Sequence, residues 1–202
     1  VRSRRQRQMC IRDRCMIHCT QMDPHEVKML AKTQAIAGLC PITESSLGDG
    51  IFEGTNWMSN NGNIAIGSDS NIRISLSEEL RTLEYSQRLR DRSRAALANS
   101  HQSTGRRLFE EICKGGAQAA GRKTGFIKEG YLADLLALDT SHIDLEQHKK
   151  DTLLDSYIFS GDDRMISDVW SAGRHLVKNG EHVSRPEITK AYRKATKKLT
   201  EF

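Results

Sequence analysis

Short apolar runs that end at glycine or proline alternate along this chain with stretches whose apolar residues recur every three to four positions. CMIHCT (15–20), AIAGLCP (35–41) and IAIGSD (64–69) are apolar on both alternating faces, as in strands covered on two sides. Between them, Asp23-Pro24-His25-Glu26 is a helix start: Asp23 can cap, Pro24 suits the first position, and Glu26 can reach back to the cap. Val27, Leu30 and Ala31 then form the inward stripe. Ser75 and Glu78 repeat the capping signature, which predicts a helix through about Leu97 with Leu76, Leu80, Leu83 and Leu89 facing in. A further helix is predicted over 104–115, closing at Gly115-Gly116.

Apolar strands separated by helices make a parallel sheet, so three strand-and-helix units are expected across residues 15–115 and the fold class is α/β. The pattern then changes. Residues 126–139 (FIKEGYLADLLALD) and 169–183 (VWSAGRHLVKNGEHV) alternate more, and Asn179-Gly180 signals a tight hairpin, so a small antiparallel unit is predicted there. Residues 187–199 read as a terminal helix with Lys190, Arg193, Lys194, Lys197 and Lys198 on a solvated side.

Charge changes this picture less than its total suggests. The net charge is +5 over 202 residues, and residues 1–14 alone hold six arginines against one aspartate, so the remainder is neutral. Basicity is therefore a property of that first segment, which lacks the apolar stretch of a signal peptide and reads as an artefact or a disordered arm. Neither a nucleic-acid nor a membrane partner is expected, and no run of about 18 apolar residues is present to span a bilayer. Cys10, Cys15, Cys19, Cys40 and Cys113 form no C-x-x-C pair and are odd in number, which fits reduced thiols and a cytoplasmic location.

His18 and Asp69 stand out, because each follows an apolar strand. In a parallel αβ barrel the groups at the C-terminal strand ends carry the chemistry. An acid at Asp69 suits a hard cation or proton transfer; equally, it can cap a turn through Ser68 and Ser70. The loop PITESSLGDG (41–50) is expected to line the same pocket, with Glu44 and Ser45 as candidate substrate contacts, and Arg73 as a candidate for attracting a carboxylate.

The runs CPITESSLGDGIFEG, GSDSNIRISLSEELRTLEYSQRLRDR and STGRRLFEEICKGGAQAAGRKTGFIKEGYLADLLALD resemble the C-terminal half of the formimidoylglutamate deiminases, a family of the amidohydrolase superfamily. The resemblance covers residues 15 to about 185. It implies the C-terminal part of a TIM-like (β/α)8 barrel plus part of a small β-sandwich. Residues 15–124 would be barrel strands six to eight with their helices, 125–185 part of the sandwich, and 186–202 a C-terminal helix. It further implies that Asp69 ligates a single zinc and shuttles a proton, and that His18 orients or polarises the attacking hydroxide. The implied reaction, in histidine degradation, hydrolyses N-formimino-L-glutamate to the N-formyl compound and ammonia, in a full-length enzyme that is a homodimer.

That family's other zinc ligands, an H-x-H pair and a further histidine followed by a glutamate, have no counterpart among these 202 residues. Since a full barrel takes about 250 residues, a truncated product is expected, inactive and prone to associate through an open sheet edge. Two rival functions remain in view. One is another amidohydrolase, acting on guanine or a different nucleobase; the other is a noncatalytic basic module that depends on residues 1–14.

Overall fold

The computed structural model describes residues 14–200. The basic segment read as an artefact or disordered arm lies, but for Arg14, outside the described residues, as do the last two residues of the expected terminal helix. The fold is α/β, with two separate sheets.

The first sheet is parallel, in the order β1-β2-β3, from β1 (Cys15–Ile17), β2 (Ile36–Leu39) and β3 (Asn63–Ile66). Its register sets Ile17 beside Gly38 and Gly38 beside Ala65, so the three strands end level with one another. Helix α1 (Pro24–Lys32) links β1 to β2, and its start carries the full reciprocal cap: Asp23 accepts from His25 and Glu26 N–H, while Glu26 accepts from Asp23 N–H at 2.9 Å. Two short helices, α2 (Pro41–Leu47) and α3 (Gly54–Ser59), lie between β2 and β3.

Residues 41–50, expected to be a loop, are instead helical over Pro41–Leu47. Pro41 ends β2, yet it also occupies the first turn of α2, where its missing N–H costs nothing. The same proline is both stop and start.

Helices α4 (Leu76–Asp91) and α5 (Thr104–Ala119) follow β3, and the residues they bury include Leu80, Leu83, Leu108 and Ile112. These join Val27, Ala31, Leu39, Trp57 and Ile64 in one continuous core. Helix α4 stops six residues short of Leu97. Glu84, fully buried, accepts from the N–H groups of Ala96 and Leu97 and from Arg88, and this folds the segment after α4 back onto the helix. Helix α5 runs past Gly115-Gly116, the pair expected to end it.

The second sheet is antiparallel, in the order β4-β5-β6-β7, from β4 (Leu135–Leu138), β5 (Ile166–Ser171), β6 (Arg174–Lys178) and β7 (Glu181–His182). Asn179 and Gly180 take φ of 48° and 78°, the two left-handed residues of a tight hairpin. Helix α6 (Asp151–Phe159), absent from the sequence reading, inserts Tyr157 and Ile158 into the common core, and α7 (Arg185–Leu199) buries none of its residues.

Candidate active site

The level ends of the parallel strands are what assemble the site. His18 follows β1 directly and its N–H donates to the carbonyl of Gly38 on β2 at 2.8 Å, so its backbone continues the ladder for one residue beyond the strand. Asp69 lies three residues beyond β3, where Gly67 N–H is still bonded to the carbonyl of Leu39. Both depart from ordinary backbone geometry: φ is 67° at His18 and 49° at Asp69, left-handed values that side chains other than glycine's adopt at a cost of about 1–2 kcal/mol. That turn swings the two side chains toward each other. His18 Nε2 stands 3.7 Å from Asp69 Oδ2, with the two side chains 32% and 40% exposed.

The other ring nitrogen faces inward. His18 Nδ1 is 3.2 Å from Oε1 of Glu44 on α2, a carboxylate only 6% exposed, and the same oxygen accepts the Cys40 N–H at 2.7 Å. Burial pushes the Glu44 carboxyl up, against the stabilising hydrogen bonds from Cys40 and His18. Burial is also the main reason the Cys40 thiol is pushed up to about 11, with the nearby carboxylates of Glu44, Asp69 and Glu79 adding to it.

Of the residues singled out from sequence, His18, Glu44 and Asp69 come together. No hydrogen bond joins the Asp69 carboxylate to Ser68 or Ser70 among the described residues; Ser68 instead offers its carbonyl to Thr43 on α2 at 3.0 Å. Ser45 donates its hydroxyl to the carbonyl of Pro41. Arg73 is held by Glu78 at 2.5 Å, which explains why Glu78 does not complete the second capping box: Ser75 accepts from its N–H, but its carboxylate has turned to Arg73. Glu44 and Ser45 also border a hollow of about 280 Å³ with Phe52 and Leu83, and neither His18 nor Asp69 lines it. Cys40 and Glu79 were not singled out by the sequence reading; both sit among apolar or helical neighbours that give no local sign of function.

Residues 8–176 match the amidohydrolase family. The chain belongs to this family. It is 44% identical to the formimidoylglutamate deiminase of Pseudomonas aeruginosa over 179 residues, 88% of this chain and 40% of that protein. An amidohydrolase from Brucella melitensis superposes with a TM-score of 0.85 at 44% identity, over 92% of this chain and 41% of the other. An adenosine deaminase from Xanthomonas campestris, solved with bound zinc, superposes at 0.82 over 98% of this chain and 45% of its own; at 22% identity it shows a shared fold. The chain thus spans about two-fifths of the length of these relatives.

Zinc is bound in the Xanthomonas adenosine deaminase, and the described residues of this chain do not make a site for it unaided. His18, Cys40 and Glu44 have donor atoms within 4.8 Å of one another, but Glu44 Oε1 already accepts the Cys40 N–H and faces His18 Nδ1, and Cys40 is itself buried. What remains is His18 Nε2 and Asp69 Oδ2, two donors where an open zinc site has three from protein.

Proposed function

We propose that this chain is the C-terminal part of a metal-dependent deiminase that hydrolyses N-formimino-L-glutamate to N-formyl-L-glutamate and ammonia in histidine degradation, and that the chain alone turns over no substrate. The observation that carries the reading is the approach of His18 Nε2 to Asp69 Oδ2, 3.7 Å, at the mouth of a parallel sheet. The 44% identity to the Pseudomonas deiminase directs it to formiminoglutamate rather than to a nucleobase. In this reading β1, β2 and β3 are strands six to eight of a (β/α)8 barrel within residues 15–124, the antiparallel sheet is part of an accessory β-sandwich within 125–185, and 186–202 is a terminal helix. The complete enzyme is taken to be a cytoplasmic homodimer.

Asp69 accepts the proton of the water that attacks the formimino carbon and passes it to the formimino nitrogen, then takes the proton of the resulting hydroxyl and passes it to the same nitrogen as the C=O forms, the C–N bond breaks and ammonia leaves; its partial exposure lets water reach it, and its place on the loop after β3 keeps it beside the reacting atoms. His18 hydrogen-bonds the attacking oxygen through Nε2 and fixes its line of approach. Zinc enters only as the whole protein's cofactor, with Asp69 the donor this chain supplies.

The test is a fusion that places the N-terminal three-fifths of the Pseudomonas deiminase ahead of this chain, assayed for ammonia release. Activity on N-formimino-L-glutamate that disappears with Asp69→Asn supports the proposal. Release from guanine but not from formiminoglutamate would sink it.

A further inference from the structure

Glu44 was read from the sequence as a substrate contact, and its surroundings argue for a different task. It lies in the first turn of α2, a helix whose N-cap, Cys40, makes no side-chain capping bond. Two buried carboxylates take over the unbonded N–H groups: Glu44 accepts from Cys40 N–H at 2.7 Å, and Glu79, reaching across from α4, accepts from Ile42 N–H at 2.9 Å. The carboxylate of Glu44 is thereby locked in position before any ligand arrives. A hydrogen bond with the ring of His18 then has a forced direction. Glu44 Oε1 already accepts the Cys40 N–H, and an ionised carboxylate can only accept, so its second contact at 3.2 Å calls for a donor. With Nδ1 protonated the contact is a hydrogen bond; with Nδ1 bare it sets two acceptors against each other.

We propose that Glu44 is a positioning residue for His18: it holds the Nδ1 proton and so turns the Nε2 lone pair toward the space shared with Asp69. The proposal rests on the reading of His18 as the group that orients the attacking oxygen. It has a clear physical consequence. In the neutral ring, Nε2 and the Asp69 carboxylate are both acceptors facing each other at 3.7 Å, an arrangement that attracts a donor between them, such as water or the N–H of an amidine. The backbone bond from His18 to Gly38 fixes the His18 Cα, and Glu44 fixes the rotation of the ring, so Nε2 has one direction left. Glu44 reaches the chemistry through the imidazole and touches no substrate.

The direct test is the tautomer of His18 in the 202-residue chain labelled with ¹⁵N-histidine, read from long-range ¹H–¹⁵N correlations and assigned with His18→Gln. The wild-type chain should show Nδ1–H in excess, and Glu44→Gln should lower the ratio of Nδ1–H to Nε2–H by about tenfold or more, because a neutral amide loses the charge-assisted bond and can itself donate. An Nε2–H ring in the wild type overturns the proposal without any variant, and so does an unchanged ratio in a Glu44→Gln chain that keeps the fluorescence of buried Trp57. In the fusion enzyme, a positioning role predicts a fall in kcat with KM unchanged; a raised KM with intact kcat makes Glu44 a substrate ligand and rejects the idea. A fusion inactive on formiminoglutamate whose His18 is still Nδ1–H rejects the function and leaves the positioning role standing.

Discussion

Gly115 of α5 lies directly against the main chain of Ile64 in β3, so close that a Cβ at that position would collide with the Ile64 carbonyl. A helix that approaches a strand this closely has no side chain to yield, since the obstacle is backbone. The strand it presses on is the one that leads to Asp69.

Gly115→Ala is therefore expected to destabilise the chain by about 1–3 kcal/mol through overpacking, although alanine is the better helix former by up to about 1 kcal/mol. The neighbouring Gly116 has nothing within 4 Å of its notional Cβ, so Gly116→Ala should be neutral or stabilising. Urea unfolding followed by the fluorescence of Trp57 compares the two; equal midpoints would contradict the close packing described.

Asp69 stands at φ 49°, makes no hydrogen bond among the described residues and has His18 Nε2 at 3.7 Å as its ionic neighbour, so the proposed proton-transfer role and a structural role predict opposite effects of its removal. Asp69→Gly should keep or raise the unfolding free energy, by up to about 1 kcal/mol, because glycine relieves the left-handed strain. The same change in the fusion enzyme should lower kcat at least about 100-fold, the scale of a lost proton-transfer group. A variant both less stable and still active would show that Asp69 is structural.

Glu79 carries a pH dependence whose sign follows from its burial. Desolvation, the largest cause, lifts its carboxyl from 4.5 to about 7, with Glu44 and Glu78 reinforcing the rise and the Ile42 N–H opposing it. One oxygen, Oε1, is buried with no partner. The folded state thus holds this proton more tightly than the unfolded one: the favourable contribution is complete below about 4.5 and is lost as pH rises toward about 7. Glu79→Gln keeps an acceptor for Ile42 N–H and removes the ionisation, so it should flatten the stability profile across that window and be the more stable form at pH 8. Parallel profiles for the two proteins would refute the assignment.

Ile17 is 57% exposed on β1, whose one partner among the described residues is β2. An apolar edge strand with free backbone groups is a template for further pairing. Ile17→Lys should reduce self-association of the 202-residue chain in sedimentation velocity while leaving Trp57 fluorescence unchanged. Undiminished association would move the contact to another surface, such as the exposed Phe126 and Ile127 beyond α5.

Much of the local structure was legible because it rests on contacts a few residues apart. The Asp23–Glu26 box, the Asn179-Gly180 hairpin and the three parallel strands all follow from spacing and turn chemistry, although β1, expected to be covered on both faces, leaves Met16 and Ile17 exposed. Where the reading failed, a distant contact had overruled a local signal. Gly115-Gly116 marks a helix end on propensity, yet α5 continues because the missing Cβ is what lets it seat on Ile64. Helix α4 ends early because Glu84 captures two N–H groups from Ala96 and Leu97, a folding-back that no periodicity encodes.

For the candidate site the division is the same. The sequence by itself determined that His18 and Asp69 each follow an apolar strand, that Glu44 sits just past another, and that the chain is α/β with neutral charge beyond its first 14 residues. Only the tertiary structure decided which of these meet and what each one faces. Parallel pairing brings three strand ends level, and left-handed backbone at two of them turns Asp69 toward Nε2 of His18, while Glu44 takes Nδ1. Such a meeting depends on strand register and on close helix packing, which arise from the summed burial of the core and leave no mark in the few residues around any one of the three.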